Sequence, residues 1–304
     1  MMRAISILLV FIFLFTSTTH AAEKDMFIDY NGYKVAYHDA GRGQQTLLFI
    51  HGLPLSSQSW QCQVEFFKHK YRVVTVDLPG YGQSSPLKND KMNNLSEFYA
   101  DSIHAVLKEL KINKVVYIGF ATGGHVGMMF AKKYANLTDK LILINTSPQF
   151  ATSRDWPYGF GKKAVDYFNQ AFDTQSLPEI AQTLLKPAMQ ENCQAQLTAI
   201  KKLFTKMTVD CGVITLKAFF NNIAYENYRP LLSKIKAKTL IIQSSLDKEV
   251  VPAVALYMRQ HIKDAQLVEI NGADHFVFAT RKELFNQLVE NFVNPKCQIC
   301  KYNI

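Results

Sequence analysis

Three short stretches of this sequence carry residue types that could do chemistry together. Gly119-Phe120-Ala121-Thr122-Gly123-Gly124 has the form G-x-S-x-G, with Ala121 where the pattern has serine. A strained strand-to-helix turn of this kind presents its central side chain beside the first backbone N–H groups of a helix, which can stabilise an oxyanion. A methyl group can be neither deprotonated nor acylated, so Ala121 reads as a nucleophile position without its nucleophile. Asp247 lies in Ser244-Ser245-Leu246-Asp247, and His275 in Gly272-Ala273-Asp274-His275-Phe276. A histidine can take a proton from a reacting group, while a carboxylate fixes its tautomer and favours its charged form. Glu249 and Asp274 are acidic neighbours, but Asp247 holds the position just after an apolar run better than either.

Two further stretches bear on the same cleft. His51-Gly52-Leu53-Pro54 follows an apolar run, and a sharp turn there can aim the Leu53 N–H across the carboxyl ends of the strands, where ligands of α/β sheets bind. Asp77-Leu78-Pro79-Gly80-Tyr81-Gly82 forms a rigid loop in which Asp77 is expected to bond local backbone and not to catalyse.

To bring these groups together the chain needs a scaffold, and its patterning supplies one. Residues 27–37 alternate apolar and polar around Asn31-Gly32, a hairpin turn whose two residues tolerate positive φ. Short runs rich in Val, Ile and Leu follow at 46–50, 72–76, 114–118, 140–144, 238–242 and 266–270, as expected of strands buried on both faces. Amphipathic stretches such as 95–110 and 124–134 lie between them. This alternation predicts an α/β fold with a mainly parallel sheet, an N-terminal antiparallel hairpin and helices on both sides. Residues 149–234 are too many for a connection and carry helical patterns, prolines and aromatic residues, so an inserted helical cap is expected. The core domain is then 22–148 together with 235–296, and 297–304 is a C-terminal tail.

Composition narrows the classes further. With 48% hydrophobic and 19% charged residues in 304, the chain has ordinary globular character. Its net charge of +9 is scattered in pairs such as Lys132-Lys133 and Lys201-Lys202, not gathered into the basic stripe that nucleic-acid recognition leaves. Residues 1–21 read as a secretory signal: Arg3, an apolar run over 5–15 broken only by Ser6, then Thr19 and Ala21 placed for cleavage after Ala21. That run is shorter than the roughly 20 apolar residues a bilayer core requires, so no stable membrane span is expected after cleavage, and the product is secreted or periplasmic. Export permits disulfides, and Cys193 and Cys211 flank a helical stretch and could pair. Cys297 and Cys300 form C-x-x-C in a polar tail, away from the strand-to-helix setting that a redox motif uses.

The stretches HGLPLSSQSW, YRVVTVDLPGYGQSS, GFATGG, SSLDKEVVP and GADHFVF, in this order, resemble the α/β-hydrolase superfamily, and within it the non-haem haloperoxidase, perhydrolase and arylesterase-like branch. The resemblance spans nearly all of the chain between signal and tail outside the cap. It implies ester cleavage, or peracid formation in some members, through a serine, histidine and acid triad with neither metal nor organic cofactor. By carry-over His275 looks like the base and Asp247 its orienting acid, with Leu53 and Thr122 as backbone donors of the oxyanion hole. Ala121 is the departure. Relatives with Asp at the elbow, the haloalkane dehalogenases and epoxide hydrolases, match less well. Three readings stay open: a hydrolase that has lost its serine, an enzyme in which His275 and Asp247 act as a general base without covalent catalysis, and a ligand-binding pseudoenzyme. In each the expected partner is a small or medium uncharged acyl or ester-like compound.

Overall fold

The computed structural model describes residues 26–186 and 194–295, without the side chains of 194–197. The expected signal 1–21, Cys193, Cys297, Cys300 and the tail 297–304 lie outside the described residues. Asn31 and Gly32, with φ of 52° and 74°, turn the chain between β1 (Met26–Tyr30) and β2 (Tyr33–Ala40). The six apolar runs become β3 (Thr46–Ile50), β4 (Arg72–Val76), β5 (Val115–Phe120), β6 (Thr138–Ile144), β7 (Lys238–Ser244) and β8 (Ala265–Ile270). Among the described residues these eight strands form one sheet in the order β1-β2-β4-β3-β5-β6-β7-β8. The pairs β1/β2 and β2/β4 are antiparallel, and all the others are parallel. β5 runs two residues beyond its expected end, because Gly119 and Phe120 still pair with Leu143 and Ile144 of β6.

Alternation along the central strands sends apolar side chains to both faces. Leu48, Ile50, Leu141, Leu143 and Ile241 enter one core cluster, with α2 (Leu95–Glu109), α3 (Thr122–Lys133) and α7 (Pro252–His261) packed over it. Leu47, Phe49, Ile142, Ile144, Leu240 and Ile242 enter the other, beneath α1 (Gln61–Phe67), α8 (Val277–Thr280) and α9 (Lys282–Val293). Two covered faces explain why these strands read as continuous apolar runs.

Between β6 and β7 lie α4 (Lys162–Thr174), α5 (Leu177–Leu185) and α6 (Gln194–Asn221). Gly212, at φ 74°, ψ 162°, kinks α6, a conformation that a residue without Cβ adopts at little cost. Before the kink Phe204 and Met207 join the second core cluster; after it Leu216, Phe219 and Phe220 join the first. The expected Cys193–Cys211 pairing is not made, since Cys211 is a buried free thiol.

Candidate active site

The sheet order changes direction between β3 and β5, since β3 connects on to β4 on one side and β5 to β6 on the other. Such a switch leaves a crevice at the carboxyl ends of the strands. Gly52 and Leu53, just past β3, and Ala121, just past β5, meet there.

Ala121 has φ 46° and ψ −114°, outside the ordinary range of a residue with a Cβ. The turn is over-determined. The Ala121 N–H donates to Ile144 O at 2.9 Å, and its carbonyl accepts from the Gly124 and His125 N–H groups (3.0 and 3.1 Å) and from Thr146 Oγ1 (2.5 Å). Gly123 lets the helix start press on β3: a Cβ there would lie 2.4 Å from His51 O and 2.5 Å from Ile50 O. The Leu53 N–H points toward the same helix start, 3.5 Å from Thr122 Oγ1.

His275 and Asp247 come together across the ends of β8 and β7. His275 Nδ1 donates to Asp247 Oδ2 at 2.7 Å, and both side chains are buried. The other carboxylate oxygen, Oδ1, accepts the N–H groups of Glu249 (2.8 Å) and Val250 (3.0 Å), which fixes the acid's rotamer. With Nδ1 committed, Nε2 is left for chemistry. The imidazole packs on Phe120, ring centroids 4.8 Å apart. Burial opposes its charged form, but the charge and hydrogen bond of Asp247, with smaller help from Glu249 and Asp274, outweigh that and raise its pKa above 6.5.

Leu53, Ala121, Thr122 and His275 line one pocket, so the sequence-derived residues converge, with Asp247 directly behind His275. Phe150, Phe160, Leu184, Phe219 and Phe220, from the segment between β6 and β7, close its other side. Two groups have a place at the site that the sequence reading did not give them: Glu249, set aside there as an acidic neighbour, and Asn145. Glu249 lines the pocket and is half-buried; burial, reinforced by Asp247 and opposed by His275, pushes its carboxyl pKa up. Asn145 donates through Nδ2 to the His275 carbonyl (2.7 Å) and Ser244 Oγ (2.9 Å), and accepts from the Ser244 N–H (2.8 Å), which fastens the histidine loop to β6 and β7. The sequence signal for Asn145 is only a polar residue placed directly after a strand end.

Neighbouring polar groups have other work. Asp274 accepts from the Phe276 N–H and Thr280 Oγ1, both at 3.1 Å, in the turn after the histidine. Asp77 accepts from the Ser57 and Gln83 N–H groups (2.6 and 2.9 Å), in keeping with a structural role. His51 is buried, and burial lowers its pKa against the pull of Asp77; its Nε2 accepts the Leu78 N–H at 3.2 Å.

A family model for the alpha/beta hydrolase fold matches residues 45–282. The chain is 28% identical over 262 residues to the AB hydrolase superfamily protein YisY of Bacillus subtilis, covering 84% of this chain and 94% of that protein. Its fold is similar to that of a bromoperoxidase from Bacillus anthracis, with TM-score 0.81, 21% identity and coverage of 89% and 99% of the two chains. It is likewise similar to the esterase EaEST from Exiguobacterium antarcticum, with TM-score 0.80, 24% identity and the same coverage.

Proposed function

The chain belongs to the alpha/beta hydrolase fold family, and from that premise we propose that its pocket is an acyl-binding site whose nucleophile position is held by Ala121. In this reading His275 is the base, Asp247 orients it, and the N–H groups of Leu53 and Thr122 are the oxyanion donors. The observation that carries it is the 2.7 Å bond between His275 Nδ1 and Asp247 Oδ2 behind a pocket that Ala121 also lines. An imidazole held this way has Nε2 available for a hydroxyl that the methyl group does not supply.

With serine at 121 the sequence of events would be familiar chemistry. Nε2 takes the hydroxyl proton as the oxygen attacks the acyl carbonyl, the two N–H groups hold the oxyanion, and His275 returns the proton to the departing alcohol. Water then releases the acyl group by the same route. Loss of a triad nucleophile costs on the order of 10⁶ in turnover, while binding and oxyanion stabilisation leave roughly 10³ to 10⁴ over water. The chain as it stands is therefore a binder of acyl compounds with residual hydrolysis. The decisive experiment is Ala121→Ser assayed on a short aryl ester. Activity should appear and be abolished by His275→Ala in that background; a folded but inert serine variant would overturn the reading.

A second reading is favoured by the oriented imidazole, which a passive binder does not need. Here His275 removes a proton from water or substrate directly, without a covalent intermediate. It requires turnover by the unmodified protein on an ester, lactone, cyanohydrin or oxygenase substrate, lost in His275→Ala. The segment 149–234 serves in both readings as a cap that sets substrate size, and residues 1–21 as a signal for export to a secreted or periplasmic location. N-terminal sequencing of exported protein should begin at Ala22.

A further inference from the structure

The walls of the pocket are almost wholly apolar, and five of the lining side chains are phenylalanines: Phe150, Phe160, Phe219, Phe220 and Phe276. Among the described residues neither Lys nor Arg lines it. His275 and Asp247 compensate one another through their 2.7 Å bond whenever the imidazole is protonated. That leaves Glu249. Its backbone N–H is tied to Asp247 Oδ1 at 2.8 Å, so its position is fixed relative to the base. Among the described residues its carboxyl has neither a hydrogen bond nor a salt bridge, although Glu249 belongs to the lining of a low-polarity space. An unpaired carboxyl in such a space is costly, and a ligand that brings the opposite charge removes that cost. Phenylalanine faces add to the attraction, because their ring quadrupoles favour a cation and disfavour an anion.

Resting on the acyl-binding reading above, we infer that Glu249 is a specificity-determining residue that makes this pocket select acyl compounds carrying an ammonium group and reject those carrying a carboxylate. This departs from the uncharged substrate expected from the apolar and aromatic character of the sequence, because Glu249 adds an acidic group to an otherwise apolar lining. Glu249 has no part in the proton transfers; it contributes by where it places charge. An uncharged ester is admitted without its help, a cationic one with it, and an anionic one against it.

The test uses the full chain and calorimetric titration with three esters: acetylcholine, its uncharged isostere 3,3-dimethylbutyl acetate, and monomethyl succinate. Acetylcholine should bind about tenfold tighter than the isostere, and monomethyl succinate weakest of the three. Glu249→Gln should bring the first two to within about twofold, while Glu249→Asp, which keeps the charge, retains a preference. Equal affinities in the unmodified protein, a preference undiminished in Glu249→Gln, or no binding of any of the three would overturn the inference. A parallel assay of Ala121→Ser on p-nitrophenyl acetate separates the two levels. Activity dependent on His275 without a charge preference removes Glu249's role and leaves the acyl site standing. A charge preference in a protein whose serine variant is inert supports Glu249 and removes the hydrolytic reading. Absence of both removes both.

Discussion

His275 has to be neutral to accept a proton, and its neighbours make that harder. Asp247 in contact, with Glu249 and Asp274 further off, stabilises the imidazolium beyond what burial takes away, so the pKa lies above 6.5. The sign follows directly: as pH falls through that raised value the base is lost, and activity with it. In the Ala121→Ser protein the rate on an aryl ester should therefore rise with pH through a midpoint above 6.5. Asp247→Asn should move the midpoint down and lower the rate by about 10⁴. A pH–rate profile of the two proteins checks this, and a midpoint that ignores Asp247 would detach His275 from the proposed role. The residue types themselves were legible in sequence, because a histidine and an acid each placed after an apolar run announce themselves. Glu249 was not. Asp247 and Glu249 are two residues apart, and which of them meets the imidazole depends on how the loop is folded by the N–H groups that Asp247 gathers.

Elements rather than single residues hold Ala121 in its uncommon conformation. β5 delivers the chain, α3 takes it away, and β3 crosses so near that Gly123 has no room for a side chain. Gly123→Ala would place a methyl 2.4 Å from a backbone oxygen that cannot turn aside. It should cost about 3 kcal/mol and loosen the contact between β3 and the start of α3, measured as a lowered urea midpoint with unchanged slope. A wild-type midpoint would mean that the two elements are not pressed together. The strands were legible because burial on both faces leaves runs with few polar interruptions, and β3 and β4 fall where those runs lie. α6 was less so. Its kink follows from the backbone angles of one glycine, which apolar periodicity does not report.

At the scale of the molecule, the chain's two tryptophans fall one to each part: Trp60 within the sheet-and-helix core and Trp156 within the segment between β6 and β7, both fully buried. Trp60 packs on Phe278 at 4.4 Å, and Trp156 sits edge-on to Tyr257 of α7 at 5.0 Å. Since the segment contributes side chains to both core clusters, it should not melt by itself. Trp60→Phe and Trp156→Phe proteins, each followed by the fluorescence of the remaining tryptophan, should give coincident urea transitions. An earlier transition reported by Trp156 would show a separately unfolding unit.

The bend at Gly212 has a consequence for traffic into the pocket. A roof riveted to both flanks of a building cannot be raised on one hinge, and α6 is fastened in that way by Phe204 and Met207 on one side and Phe219 and Phe220 on the other. Guests are therefore expected to come in past side chains that step aside while the beam stays put, and amide exchange along α6 unchanged by ligand would bear this out.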